Sequence, residues 1–171
     1  MNHLYNTERL AANAVLYPHM EPPHQWMVRG FQEALIAASW SKDPNRTVGA
    51  AVMDSDKRFY KGFNGFPKHI CDSPELLNDR DRKRSLIIHA EINALKRAPV
   101  TENTILFVSA PCCHVCAAQI VDWGVIAVHC LKKTEGDFEA YEESFRMAQE
   151  TFALGGVMYR EYDTEQFGLV R

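Results

Sequence analysis

The sequence predicts one α/β domain, built as a layered sheet with helices on both faces. Its 171 residues suffice for a domain with a buried core, and 46% of them are hydrophobic and 24% charged, as in ordinary soluble globular proteins. After a predicted hairpin, segments with helical periodicity alternate with short apolar segments. That alternation is typical of helices packed on both faces of a sheet.

The first half of the chain is predicted to contain an arm, a helix and a hairpin. Prolines break the chain at the end of residues 1–23, which we interpret as an N-terminal arm. Apolar residues at helical spacing predict a helix over 24–39. The segments 47–53 and 58–63 flank the polar turn DSDK and predict two paired strands. Residues 64–84 are polar, and their charged run NDRDRKR is either a solvated helix face or a ligand contact.

The second half of the chain is predicted to alternate between helices and strands. Helices are predicted over 86–98, 113–123 and 138–154, and strands over 104–108, 125–131 and 157–162. Glycines follow the second and third of these helices, as is common where helices end. No internal repeat or low-complexity segment divides the chain, so residues 1–171 are predicted to form a single domain.

Charge and composition argue against several classes of protein. The net charge of −3 is unlike that of a protein that follows nucleic-acid phosphates, so no nucleic-acid partner is expected. No apolar run approaches the ~18 residues of a membrane span. The N-terminus MNHLYNTERL has no apolar core of a signal peptide. We therefore expect a cytoplasmic protein, in which clustered cysteines are metal ligands or catalytic groups more often than disulfides.

The stretch SAPCCHVCAAQI carries the main chemical signal, because Cys113 and Cys116 have metal-ligand spacing at the start of a predicted helix. Zinc needs further ligands, and His89, which opens another predicted helix, is the best candidate. With three protein ligands, a fourth position stays open for water, as in catalytic zinc sites. Glu91 follows His89 by two residues and could act as general acid and base. The combination H-x-E and P-C-x-x-C is identified as a signature of zinc deaminases.

Two readings of the cysteines stay open. In the signature the first cysteine ligand directly follows a proline, which indicates Cys112 because it follows Pro111. The C-x-x-C spacing indicates Cys113 instead. We favour Cys113, because the spacing between the two cysteine ligands is a geometric constraint of the metal site, whereas the proline only shapes the approach of the chain. In that case Cys112 is predicted to be a small side chain packed in the core. A redox pair or a structural zinc with His114, His129 or Cys130 as a fourth ligand are the alternatives to a catalytic site.

Four stretches resemble the deoxycytidylate (dCMP) deaminase family: ASWSKDPNRTVGAAV, GFNGFP, HAEINAL and CHVCAAQIVDWGV. The resemblance covers residues 39–131 and implies a cytidine-deaminase-like three-layer α/β/α sandwich with a central mixed sheet of about five strands. The doubled cysteine is its one departure from the family pattern. The first two stretches carry the resemblance to the dCMP branch, since HAE and C-x-x-C are common to the whole superfamily.

The resemblance implies zinc-dependent hydrolysis of dCMP to dUMP and ammonia, a step that supplies thymidylate precursors. His89, Cys113 and Cys116 would hold Zn²⁺, which acidifies a bound water, and Glu91 would transfer the protons. Asn64 matches the family asparagine that is expected to contact the sugar. The residues considered for the 5′-phosphate, in the loop before the first predicted strand, are Ser41, Lys42 and Arg46.

Other functions are weighed against this one. Another zinc deaminase, acting on cytidine, a modified dCMP or a tRNA adenosine, is the nearest alternative. A non-catalytic zinc module that binds a partner is the alternative from a different class, and Glu91 argues against it because a structural site has no use for that carboxylate. The resemblance also implies a homo-oligomer, often a hexamer, with dCTP and dTTP as effectors.

Overall fold

Within residues 21–99, 103–132 and 141–169, which the computed structural model describes, five strands form one mixed sheet. The strands are β1 Gly49–Met53, β2 Phe59–Phe63, β3 Ile105–Val108, β4 Ala127–Leu131 and β5 Met158–Tyr162. Their order across the sheet is β2-β1-β3-β4-β5. β1 pairs antiparallel with β2 and β3, whereas β3, β4 and β5 run parallel.

Helices cover both faces of the sheet. They are α1 His24–Ala38, α2 Pro74–Asn78, α3 Arg80–Leu86, α4 Ala90–Leu95, α5 His114–Trp123 and α6 Glu142–Gly155, followed by a 3-10 helix, Thr164–Phe167. One face of the sheet packs against α1, and the other packs against α4, α5 and α6. In β1, Ala50 and Val52 point to the second of these cores, and Ala51 and Met53 point to the first. The predicted three-layer α/β/α fold with a mixed five-stranded sheet is confirmed.

Gly62 allows α4 to lie directly on the sheet. A Cβ at this position of β2 would clash with the backbone of Ala94 and with the carbonyl of Ala90, both in α4. Gly49 likewise allows α1 to lie close to the sheet, because a Cβ there would clash with the backbone of Ala34 and Ala38. The close approach at Gly62 sets the position of the helix that follows His89.

The prediction of a helix over 86–98 is wrong in its extent. Helix α4 covers only Ala90–Leu95, and the preceding helix α3 ends at Leu86. Between them the chain is extended, because the backbone of Ile88 exchanges hydrogen bonds of 2.9 and 3.1 Å with Gly65. This pairing joins residues that are far apart in sequence, and it draws His89 out of the helix to become its N-cap residue.

The polar segment 64–84 contains the helix α2 and most of α3. Ser73 caps α2 by accepting a hydrogen bond from Leu76 N–H, and Asp79 caps α3 by accepting one from Arg82 N–H. Capping residues of this kind are helix-start signals, so the sequence does contain an indication of both helices.

The remaining boundaries agree within a few residues where they can be compared. The helix predicted over 138–154 is described as Glu142–Gly155, and its first predicted positions lie outside the described residues. Of the predicted N-terminal arm, residues 1–20 also lie outside them. The single-domain assignment stays a prediction. None of the described helices is both long enough and apolar enough to cross a membrane.

Candidate metal centre and active site

His89, Cys113 and Cys116 converge on one point between the starts of two helices. His89 Nδ1 lies 3.3 Å from Cys113 Sγ and 3.3 Å from Cys116 Sγ. The three donor atoms all lie within 4.8 Å of one another. The structure therefore brings together the three residues that the sequence nominates as metal ligands.

The helix starts explain this arrangement. His89 is the N-cap residue of α4 and Cys113 is the N-cap residue of α5, and both have an extended backbone. Cys116 follows in the first turn of α5, where residues three apart lie on the same side of a helix. The partial positive charge at the start of α5 also favours a thiolate over a thiol.

The electrostatics of the cluster favour an anionic sulfur. Hydrogen bonding to Cys116, assisted by His89, lowers the pKa of the Cys113 thiol to about 4, although burial opposes this. The same contact with Cys113, together with burial, raises the pKa of the Cys116 thiol. The hydrogen bond to Cys113 also raises the pKa of His89. A negative charge centred on Cys113 suits a site for a cation.

The donor set fits zinc. One imidazole nitrogen and two sulfurs are ligands that zinc prefers, and ligands of these types around a tetrahedral zinc lie about 3.6 Å apart. The observed separation of 3.3 Å between His89 Nδ1 and each sulfur is close to that value. Three protein ligands leave one position for water, as in catalytic zinc sites.

Glu91 lies beside the cluster without being one of its three donors. It occupies the first turn of α4 and is 3% exposed. Burial raises the pKa of its carboxyl group, with the positive charge of His89 acting in the opposite direction. The carboxyl group also interacts with the thiols of Cys112 and Cys116. A buried carboxyl group in this position could exchange protons with a water molecule held at the cluster.

Cys112 lies in the core and is not one of the three donors of the cluster. Its side chain is fully buried, and its Sγ lies 3.7 Å from Sγ of Cys130 in β4. This hydrogen bond and burial raise the pKa of the Cys112 thiol. Adjacent residues of an extended chain point in opposite directions. The side chain of Cys113 faces His89, whereas that of Cys112 packs against the sheet.

Asn64 and Ser41 connect the loop before β1 to the segment that follows β2. The Asn64 side chain accepts a hydrogen bond of 2.8 Å from Val48 N–H and donates one of 2.9 Å to the Arg46 carbonyl. Ser41 Oγ donates to the Asn64 carbonyl at 3.0 Å. Asn64 also lines a cavity of about 310 Å³. His89, Cys113 and Cys116 are not among the residues that line this cavity. Asn64 and Ser41, two of the four residues predicted to bind substrate, thus hold the loop in shape, and the Asn64 amide has a second N–H donor.

Lys42 and Arg46 have different surroundings. Lys42 is exposed and forms a 2.7 Å ion pair with Asp72. The Arg46 guanidinium lies 5.2 Å from the centre of the Tyr141 ring, and its charge lowers the pKa of His89. The charge of Arg46 therefore acts on the candidate metal site, whereas Lys42 pairs with a surface carboxylate.

Two residues beside Arg46 are missing from the sequence-based set. Arg84 Nη2 donates a 2.6 Å hydrogen bond to the Tyr141 hydroxyl, and its guanidinium lies 5.3 Å from the ring centre. Arg84 belongs to the charged run whose role the sequence leaves open. Nothing in the sequence around Tyr141 indicates this contact, because it joins residues that are far apart in the chain.

Comparison with known proteins agrees with this site and fold. The model of the cytidine and deoxycytidylate deaminase zinc-binding region matches residues 24–132. An uncharacterized deaminase from the luxG 3′ region of Aliivibrio fischeri is 34% identical over 134 residues, which cover 78% of this chain and 90% of the relative. The deoxycytidylate deaminase of Homo sapiens is 27% identical over 152 residues, with coverages of 84% and 81%.

A solved structure supports the fold. The dCMP deaminase from the cyanophage S-TIM5, crystallised in complex with dCMP and dUMP, aligns with a TM-score of 0.59 over 77% of this chain and 93% of that chain, at 20% identity. The family model covers well over half of the described residues and includes all three metal-binding candidates and Glu91. The chain belongs to the cytidine and deoxycytidylate deaminase family.

Proposed function

We propose that this protein is a zinc-dependent deoxycytidylate deaminase, which hydrolyses dCMP to dUMP and ammonia. The observation that carries the proposal is the convergence of His89, Cys113 and Cys116 with the buried carboxyl group of Glu91 beside them. Membership of the deaminase family supports it, as does the similarity to relatives that are named deoxycytidylate deaminases.

His89, Cys113 and Cys116 are the proposed zinc ligands. When bound, zinc supplies Lewis-acid chemistry, which lowers the pKa of water towards neutrality. The 3.3 Å distance between Cys113 Sγ and His89 Nδ1 supports the assignment of Cys113 as the first cysteine ligand. Cys112, packed against Cys130, is then a core residue in this proposal.

Glu91 is the proposed proton carrier. It accepts a proton from the attacking water and delivers it to the ring nitrogen of the base. It then takes the proton of the hydroxyl newly bound to the ring carbon and transfers it to the amine, which leaves as ammonia when the carbon–nitrogen bond breaks. Burial supports this role, because a carboxyl group with a raised pKa holds a proton closer to neutral pH than an exposed one does.

Substrate recognition is proposed to involve the loops around Asn64. Asn64 offers an amide N–H to the sugar. The cationic side chains of the same region attract the phosphate, and Arg46 is the stronger candidate because its charge acts on His89 of the proposed metal site. Ser41 stabilises the loop through its hydrogen bond to Asn64. A hexameric assembly and regulation by dCTP and dTTP stay predictions of the family resemblance, and the cytoplasmic location stays a prediction from the sequence.

A substrate panel tests the proposal. The purified protein is assayed for deamination of dCMP, dCTP, deoxycytidine and CMP, and its zinc content is measured in the same preparation. We expect about one zinc per chain and the highest kcat/KM with dCMP. Bound zinc with no turnover of any substrate would favour a structural zinc module, whereas equal kcat/KM for dCMP and deoxycytidine would favour a nucleoside deaminase.

A further inference from the structure

Two arginines from separate parts of the chain meet at one tyrosine. The guanidinium groups of Arg46 and Arg84 lie 5.2 and 5.3 Å from the centre of the Tyr141 ring. Arg84 also donates a 2.6 Å hydrogen bond to the hydroxyl of Tyr141. Among the described residues, Arg84 forms no ion pair with a carboxylate, so its other N–H donors have no anionic partner there.

The neighbourhood of this cluster is held by a buried ion pair. Lys83 Nζ lies 2.7 Å from Asp43 Oδ1, and both side chains are nearly inaccessible to solvent. The same oxygen accepts hydrogen bonds from the backbone N–H groups of Asn45 and Arg46. Because Lys83 precedes Arg84 directly, one helix both holds the loop that carries Arg46 and presents Arg84.

The group formed by Arg46, Arg84 and Tyr141 also lies next to the proposed metal-binding residues. Ser144 follows Tyr141 by one helical turn, and its Oγ lies 2.8 Å from His114 Nδ1 and accepts a hydrogen bond from His114 N–H. His114 is the neighbour of Cys113 and the first residue of α5. Tyr141 is therefore placed between α3, the loop before β1 and the start of α5.

We propose that Arg84, held by Tyr141, joins Arg46 to form the subsite for the 5′-phosphate of the substrate. Two guanidinium groups offer several N–H donors, which match the oxygens of a phosphate better than a single ammonium group does. The Tyr141 ring contacts both guanidinium groups through cation–π interactions, and its hydroxyl also accepts the hydrogen bond from Arg84. This inference rests on the proposed function, and it makes Arg84 and Tyr141 specificity-determining residues.

Arg84→Ala tests the inference, with Arg82→Ala as the matched control, because Arg82 is an exposed arginine of the same helix. The ratio of kcat/KM for dCMP to that for deoxycytidine should fall by about 10- to 100-fold in Arg84→Ala, as expected for loss of one charged contact to phosphate. It should stay at the level of the unaltered protein in Arg82→Ala. Tyr141→Phe keeps the ring but removes the hydroxyl, and a smaller fall in the same direction is expected.

Binding measurements give a second readout that does not depend on turnover. Calorimetric titration with dUMP should show an affinity about 10- to 100-fold lower in Arg84→Ala, with no such change for deoxyuridine. Arg84→Ala values equal to those of Arg82→Ala in both experiments would overturn the inference. Failure of the proposed function would appear differently, as an absence of dCMP turnover in the unaltered protein.

Discussion

Replacing Lys83 by Met tests how the buried ion pair supports the loop before β1. The Lys83 and Asp43 side chains are only 7% and 6% exposed. Removing one partner of such a pair leaves the other charge buried without compensation, which typically costs about 3–5 kcal/mol. Asp43 keeps its hydrogen bonds from the Asn45 and Arg46 N–H groups, so we expect a loss in unfolding free energy near the lower end, about 3 kcal/mol.

Urea unfolding measures this loss. With a slope of about 1–3 kcal/mol per molar urea, the midpoint for Lys83→Met should fall by about 1–3 M. Lys42→Met is the matched control, because Lys42 also pairs with an aspartate at 2.7 Å but its side chain is 68% exposed. We expect no measurable shift for that variant, since exposed ion pairs contribute little.

A double variant separates the ion pair from the effect of the lysine side chain alone. Asp43→Asn in the Lys83→Met background removes the buried charge and keeps an oxygen for the two backbone N–H groups. Part of the lost stability should return. A loss below about 1 kcal/mol in Lys83→Met, or strictly additive effects of the two substitutions, would refute the view that this pair stabilises the loop.

Three further predictions concern the metal site and the fold. Cys113→Ala should lose its zinc, measured by elemental analysis, whereas Cys112→Ala should keep it, and the reverse pattern would reassign the first cysteine ligand. Glu91→Gln should retain zinc and an unchanged circular dichroism spectrum, but its kcat should fall by about 10²–10⁴-fold. Retention of most of the activity would show that Glu91 does not take part in the mechanism. Gly62→Ala should lower the unfolding free energy by about 1–3 kcal/mol, because its Cβ would clash with the backbone of α4. Gly65→Ala, whose Cβ would make ordinary contacts, should unfold like the unaltered protein, and equal stability of the two glycine variants would contradict this packing.

Local patterns were sufficient to predict the fold class and to identify the three side chains that converge at the candidate metal site. Helical periodicity and alternating apolar segments are properties of neighbouring residues, so the layered α/β fold was predicted correctly and the family assignment is confirmed. HAE and C-x-x-C each combine chemical groups at a fixed spacing at a helix start. That is why His89, Glu91, Cys113 and Cys116 could be nominated without knowledge of the tertiary structure.

Tertiary contacts decided the features that no local pattern encodes. Ile88 pairs with Gly65, and this pairing shortens the predicted helix and places His89 at the start of α4. Cys112, in the loop before α5, packs against Cys130 of β4, and Cys113 faces His89.

The surroundings of the phosphate candidates were also set by distant residues. Arg84 meets Tyr141, and Lys83 meets Asp43, across sequence separations of 57 and 40 residues. The charged run that contains both basic residues has the composition of a solvated helix face, and only the folded chain shows that Lys83 turns inward while Arg84 reaches Tyr141. Burial and pairing of a charge depend on what the rest of the chain brings to it, so the sequence of the run alone could not distinguish the two roles.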